Sequence, residues 1–272
     1  MQPAVLLVND LPAWGRVALA SAAPLVEAAG FQACCLPTAL LSTHGAYPGF
    51  VLEPQTGFLE RGWAHLASLD LPFVGAAFGL VGDRDQFPVL GRMADAVKAK
   101  GGLVLVDPIL GDNGRRYGLF HEDYVPAFRD LVRRADVITP NLTEAALLLG
   151  EDPSRTPATD AETARWARAL SDLGPTRVVI TSAPFEGRPD RTGVVWFDRT
   201  RGRSGAFAHR RLGQGIPGTG DALTARLLAF LLQGQPFPRA VVRAVKGTLA
   251  DLKRTQAAGR PALWGPEGPL KP

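Results

Sequence analysis

Cysteine is scarce in this chain, and its two cysteines, Cys34 and Cys35, are adjacent. Neighbouring cysteines cannot close an ordinary unstrained disulfide and do not match zinc-ligand spacing. No disulfide framework is therefore expected, and a reducing cytoplasm fits. On a strand the pair would face opposite ways, so at least one should be a small core residue. No apolar run is long enough to span a membrane, and the N-terminus enters an apolar strand with no basic leader, so neither an export signal nor a membrane partner is expected. The excess of positive charge is small, 30 Lys and Arg against 26 Asp and Glu. The basic residues are dispersed apart from Arg199, Arg201, Arg203 and the Arg210-Arg211 pair, read as a solvated surface rather than a nucleic-acid contact. A Walker lysine motif is missing, as is an early G-x-G-x-x-G, so neither a P-loop NTPase nor a Rossmann dehydrogenase is supported.

What is present is a 272-residue chain, 46% hydrophobic, enough for one large α/β domain or two small ones. Val5–Val8, Phe31–Leu36, Phe73–Phe78, Leu103–Val106, Val137–Thr139 and Arg177–Thr181 read as buried strands. Between them, helical periodicity marks Trp14–Ala29, Gly57–Ser68, Arg84–Lys100, Val125–Arg133, Leu142–Leu149 and Thr159–Leu173. Asn9-Asp10-Leu11-Pro12 reads as a turn. Val194–Phe197 and Gly205–His209 read as antiparallel strands joined by the Arg-rich turn. A last helix covers Pro238–Ala257, before an irregular Pro- and Gly-rich tail. The alternation predicts one doubly wound α/β domain over residues 1–272, its mostly parallel central sheet flanked by helices on both faces.

The organising stretch runs from Gly215 through Gly218-Thr219-Gly220-Asp221 into a helix reaching Phe230, read as apolar with no charge on its inner face. Glycines let backbone N–H groups converge, and the helix aims its positive dipole end at the same point, which makes an anion pocket. Asp221 would be repelled by a bound phosphate and is placed to take a proton from whatever attacks it. On the motif alone, a carboxylate that merely complements the helix dipole explains Asp221 as well. Ligands of doubly wound sheets sit beyond the carboxyl ends of the strands. That rule gathers Asp10, His44, Asp107, Asp112, Thr139, Asn141, Thr181 and Asp221 at one edge.

Gly218-Thr219-Gly220-Asp221 resembles the G-x-G-D signature of the ribokinase-like small-molecule kinases. Asp107-Pro108-Ile109-Leu110-Gly111-Asp112 and Thr139-Pro140-Asn141-Leu142-Thr143-Glu144-Ala145 resemble the D-P-V-x-G-D and T-P-N-x-x-E-A segments of its pyridoxal kinase branch, and Ser42-Thr43-His44 its S-x-H segment. The resemblance implies ATP-dependent phosphorylation of the 5′-hydroxymethyl group of a vitamin B6 vitamer in the cytoplasm, by a homodimer. Asp221 would be the base, and the amides of Gly218, Thr219, Gly220 and Asp221 would hold the transferring phosphoryl group. Asp112, Asn141 and Glu144 would hold Mg²⁺, directly or through water, with Asp107 in support; a monovalent cation is a further expected cofactor. Thr139, Thr181, Ser182 and Thr219 would meet the nucleotide. Asn141 could equally cap a helix and Thr181 end a strand. Asp10, Val17, His44, Gly45, Tyr47, Leu80 and Tyr117 would line the ring site. Here the family's first-strand serine is Asp10, its threonine after the histidine is Gly45, and its strand-end tyrosine is Leu80. Competing expectations are a hydroxymethylpyrimidine kinase and a non-catalytic B6-binding protein.

Overall fold

Runs of buried aliphatic residues account for the strands, beginning with Ala4 to Val8, each under a tenth exposed. A computed structural model describes residues 2–212 and 216–260. Gly215 and the tail from residue 261 lie outside the described residues. The fold is α/β with a large, mostly parallel central sheet, as the alternation predicts, and eight α-helices among the described residues. Contacts group the chain into two compact units, Met1–Val104 with Gln214–Pro272, and Leu105–Gly213.

The first unit opens with β1 (Ala4–Pro12), α1 (Ala18–Ala28), β2 (Gln32–Leu41), β3 (Leu52–Pro54), α2 (Thr56–Ser68), β4 (Phe73–Phe78) and α3 (Phe87–Ala99), the last preceded by a 3-10 turn at Arg84–Gln86. Its strands lie in the order β4-β1-β2-β3. β1 pairs in parallel with β2 and β4, and β3 joins β2 antiparallel. The expected turn at Asn9-Asp10-Leu11-Pro12 is instead strand. After a register shift between Asn9 and Leu11, β1 resumes pairing at Leu11 with Leu40 and Pro12 with Leu41. An irregularity of this kind re-aims side chains at the end of a strand. The first helix starts at Ala18 rather than Trp14, and Ala18 itself has φ +48. Neither cysteine is a core residue: Cys34 is half-buried and Cys35 exposed.

β5 (Leu103–Val106) leads into the second unit, followed by the small hairpin β6 (Gly111–Asp112) and β7 (Arg115–Arg116), then α4 (Tyr124–Val132), β8 (Val137–Ile138), α5 (Leu142–Leu149), α6 (Asp160–Ser171), β9 (Arg177–Ala183), β10 (Arg191–Asp198) and β11 (Arg203–Arg210). β5, β8 and β9 are parallel neighbours, and β10 and β11 continue antiparallel from β9. The hairpin of β10 and β11 is the one expected, with Arg199 paired to Asp172 at 2.7 Å. Sequence periodicity did not reveal β3 or the β6–β7 hairpin, each too short to carry a pattern.

The chain returns to the first unit with α7 (Thr219–Leu232) and α8 (Phe237–Ala257). α7 is buried from Ala222 to Phe230, which its apolar sequence explains. The expectation of an uncharged inner face fails at Arg226, which is 1% exposed. Its guanidinium bonds the buried Asp251 of α8, which also pairs with Arg254. A buried cation is tolerated only with such a partner.

Candidate functional site

In the first unit, the glycine turn delivers Asp221 to the first turn of α7. Gly218 is the N-cap, with φ +91, a left-handed conformation that a Cβ would strain. It offers no side-chain cap, so the first amides of α7 receive nothing from it. Amides left without a cap at a helix start, together with the dipole, favour an anion. Asp221 sits half-buried among them.

Asp221 is held from two other elements. Asn9, at the register shift in β1 just past its last pairing with β4, donates through Nδ2 to Asp221 Oδ1 at 3.1 Å. The backbone N–H of Ala18 also donates to the carboxylate, as does the residue's own N–H. Burial pushes the Asp221 carboxyl up, and these hydrogen bonds act against the rise. Beside it, Asp10 is 5% exposed. Burial first, then the charge of Asp221, push its carboxyl up to about 7, against a backbone hydrogen bond that lowers it. Two carboxyls in one low-dielectric region cannot both ionise freely.

Leu80 is fixed by its backbone. Its N–H donates to Asn9 Oδ1 at 2.7 Å, and its carbonyl accepts from the Thr38 hydroxyl at 2.7 Å. Val17, the buried residue before α1, stands next to the Ala18 amide. His44 is buried, and burial lowers its imidazole. Its Nδ1 accepts from the Ala46 N–H at 3.4 Å, its ring meets Tyr47 edge-on at 4.9 Å, and its backbone N–H donates to the Trp14 carbonyl at 3.3 Å. His44 Nε2 is buried with no hydrogen-bond partner in the described chain. A buried orphan of this kind asks for a ligand or water to complete it. Gly15 makes room for the ring: a Cβ there would lie 2.4 Å from His44 Cδ2. Gly45 is exposed beside it and adds no side chain.

The second unit holds a carboxylate cluster of a different kind. Asn141 caps α5, accepting from the Glu144 N–H at 3.0 Å, while Glu144 Oε2 accepts from the Asn141 N–H at 2.8 Å. This is a complete capping box. Glu144 Oε1 also accepts from the Leu110 N–H at 3.3 Å, and Asn141 Nδ2 donates to the Gly111 carbonyl at 2.8 Å. Those bonds tie the start of α5 to the Asp107–Asp112 segment. Glu144 is 4% exposed. Burial raises its carboxyl well above the usual range; the charge of Asp107 adds to this, the N–H groups of Asn141 and Leu110 oppose it, and Asp112 adds a smaller push. Asp112 is exposed and accepts from the Asn113 N–H at 2.8 Å.

Surplus negative charge around a buried carboxyl is what a cation would relieve. Each Glu144 oxygen accepts one N–H and keeps a lone pair. Among the described residues no three His, Cys, Asp or Glu side chains form a metal cage. Mg²⁺ needs none, because it keeps several waters and takes one or two carboxylates. The donor set fits such an ion.

Thr139 is buried just past β8, its N–H on the Val106 carbonyl at 3.2 Å. Thr181 in β9 forms an isolated bridge with Asn141. Ser182 is exposed with φ +58, a strained value for a residue with a Cβ. Tyr117, 39% exposed, lies beside Phe120 at 6.4 Å and hydrogen-bonds the Leu110 carbonyl through its N–H. Within the first unit the structure brings Asp10, Leu80 and Asp221 together around Asn9, and His44 with Tyr47. Within the second it joins Asp107, Asp112, Asn141 and Glu144, with Thr181 alongside. Sequence reasoning missed Asn9. The only signal for it was an amide side chain at the end of a buried strand.

Residues 27–263 match the family model described as phosphomethylpyrimidine kinase. A curated relative from Bordetella avium, a pyridoxine/pyridoxal/pyridoxamine kinase, is 32% identical over 96% of this chain and 88% of its own. A Bacteroides thetaiotaomicron protein, provisionally named a phosphomethylpyrimidine kinase and crystallised with pyridoxal, is 36% identical; it superposes with TM-score 0.89 over 94% of this chain and 89% of that one. The Leishmania donovani pyridoxal kinase in complex with ADP and pyridoxine is 26% identical, with TM-score 0.80 over 94% and 87%.

Proposed function

This chain belongs to the phosphomethylpyrimidine kinase family, and we propose that it phosphorylates the 5′-hydroxymethyl group of a B6 vitamer (pyridoxal, pyridoxamine or pyridoxine) at the expense of ATP. The observation that carries the reading is the Asp221 carboxylate, half-buried in the first turn of α7 behind a left-handed Gly218 and gripped by Asn9. The named substrates of the Bordetella relative, and the pyridoxal and the ADP with pyridoxine in the two solved neighbours, support the choice of vitamer and nucleotide.

In this mechanism Asp221 accepts the hydroxyl proton, the freed oxygen attacks the γ-phosphorus, and the bond from that phosphorus to the ADP oxygen breaks. The amides of Gly218, Thr219, Gly220 and Asp221 steady the charge on the transferring group. Burial, which raises the Asp221 carboxyl, makes it a stronger proton acceptor than an exposed aspartate. Asp112 and Glu144 would hold Mg²⁺ with Asn141 at hand, and that ion would neutralise phosphate charge when bound. Asp107 supports the cluster, and Thr139, Thr181 and Ser182 would meet the nucleotide.

Asp10, His44 and Leu80 address the ring with Val17, Gly45 and Tyr47. A carboxyl that titrates near 7 can donate to a neutral pyridine nitrogen or accept from a protonated one, which a serine hydroxyl does without charge. The orphaned His44 Nε2 supplies a second polar contact. The protein acts as one cytoplasmic kinase domain in a homodimer, an assembly that light scattering measures directly.

The family model carries a pyrimidine name, so hydroxymethylpyrimidine is the second reading. ADP release with a panel of pyridoxal, pyridoxamine, pyridoxine and hydroxymethylpyrimidine separates the two. Turnover with at least one vitamer is expected. Turnover with the pyrimidine alone would replace the proposal, and binding of a vitamer with no transfer would make the protein a carrier.

A further inference from the structure

The side chain of Asn9 makes three hydrogen bonds where β1 stops pairing with β4. Its Oδ1 accepts from the N–H of Leu80 at 2.7 Å and from the N–H of Asp10 at 2.9 Å. Only a carbonyl oxygen can accept both, so the amide cannot be turned over, and its Nδ2 must face Asp221 Oδ1. The clamp is close-fitting as well as bonded. Gly79 lies so near that a Cβ there would be 2.5 Å from Asn9 Cγ. The Gly79 N–H in turn bonds the Val8 carbonyl at 2.9 Å. A residue 212 positions away in sequence from Asp221 is thus locked onto the paired ends of β1 and β4 and presents one donor to it.

We propose that Asn9 is a positioning residue for Asp221, its locked amide setting the orientation in which the carboxylate meets the substrate hydroxyl. This rests on Asp221 being the base. Asn9 is not a catalytic residue, since it acts through Asp221. Charged groups lie on several elements near Asp221, and Arg16, two residues before Ala18, acts electrostatically on Asp251. Asp10 on β1 is electrostatically coupled to it. Arg226 further along α7 forms a separate ion-pair set with Asp251 and Arg254 of α8. β4 carries no titratable side chain, and α1 carries only Glu27, near its far end.

Asn9→Asp tests the role, because a carboxylate keeps both acceptor bonds to Leu80 and Asp10 while replacing the donor toward Asp221 with a like charge. Loss of that donor favours the protonated form of Asp221. The acid limb of kcat against pH, measured with pyridoxal and MgATP, should move to higher pH by about one unit or more, and kcat below the limb should fall about tenfold per unit. KM for pyridoxal should stay within severalfold. Carboxyl ¹³C titration of the unliganded protein should show the Asp221 midpoint rising in parallel. A purely structural Asn9 would lower Tm and leave limb and midpoint where they were, which would overturn the proposal. Asn9→Ser, which shortens the side chain, serves if Asn9→Asp does not fold, and the same two readouts decide. Failure of both variants to fold would assign Asn9 to the framework and also overturn it. Asp221→Asn is the control: if it retains wild-type kcat, the base assignment fails whatever Asn9 does.

Discussion

Two carboxyls, the half-buried Asp221 in the first unit and the buried Glu144 in the second, are both raised by desolvation, yet their surroundings are opposite. Asp221 is relieved by the Asn9 amide and the Ala18 N–H, and the carboxyl nearest to it in effect, Asp10, is itself pushed up to about 7. Glu144 is relieved by the N–H groups of Asn141 and Leu110 but remains crowded by the charges of Asp107 and Asp112. A raised carboxyl with neutral donors around it is suited to exchanging a proton. One crowded by further carboxylates is suited to a cation. Burial alone distinguishes neither, and the company each group keeps decides its role.

The largest effect that could break this contrast is at Asp221. Asp221→Ala should cut kcat by roughly 10²–10⁴-fold, the usual worth of a positioned base. Affinity for an ATP analogue, read by calorimetry, should stay within severalfold. A kcat near wild type would remove Asp221 from the proton-transfer role.

Next in size is the pH dependence of stability set by Asp10. Its carboxyl titrates at 3.8 ordinarily and at about 7 in the fold. A raised carboxyl costs nothing below pH 3.8, where both states are protonated. The cost grows from there to about 7, as the unfolded chain ionises first, and is constant above. The ceiling is on the order of 4 kcal/mol for a shift of this size. Asp10→Asn should therefore melt higher than wild type at pH 8 and similarly at pH 4, by calorimetric scans across the range. An equal difference at both pH values would mean that Asp10 is ionised throughout.

The smallest effect lies at Glu144. Glu144→Gln removes the charge but little volume, and should raise the Mg²⁺ concentration for half-maximal activity on the order of tenfold, recoverable at saturating Mg²⁺. An unchanged Mg²⁺ requirement would sink the contrast between the two clusters from the other side.

Much of this arrangement is legible in the chain, for reasons that differ by residue. Short aliphatic runs such as Leu103–Val106, rich in β-branched residues and too brief for a helix, read as interior strands, and their alternation with helical periods leads to the α/β class. The glycine turn is local: Gly218 and Asp221 are three residues apart and act within a single helical turn. Asn141 and Glu144 have the spacing of a capping box, so the helix-cap reading is realised. Whether they also serve a metal is decided by Asp107 and Asp112, which are distant in sequence. Asn9 is invisible for the same reason, because its partners Leu80 and Asp221 are 71 and 212 residues away. The extension of β1 through Pro12 depends on Leu40 and Leu41 of β2 continuing alongside, which periodicity in β1 does not report. Arg226 reads as an interruption in an apolar helix until Asp251, a full helix later, is seen to neutralise it.

The most direct test of the central claim follows the phosphorus. Pyridoxal carries one hydroxymethyl group and one phenolic hydroxyl, so the two possible esters are distinct. With MgATP and pyridoxal, the ³¹P spectrum should gain a phosphate resonance split into a triplet by the two protons of an adjacent CH₂, and Asp221→Asn should fail to produce it. A singlet from a phenolic ester, or release of inorganic phosphate alone, would contradict the account.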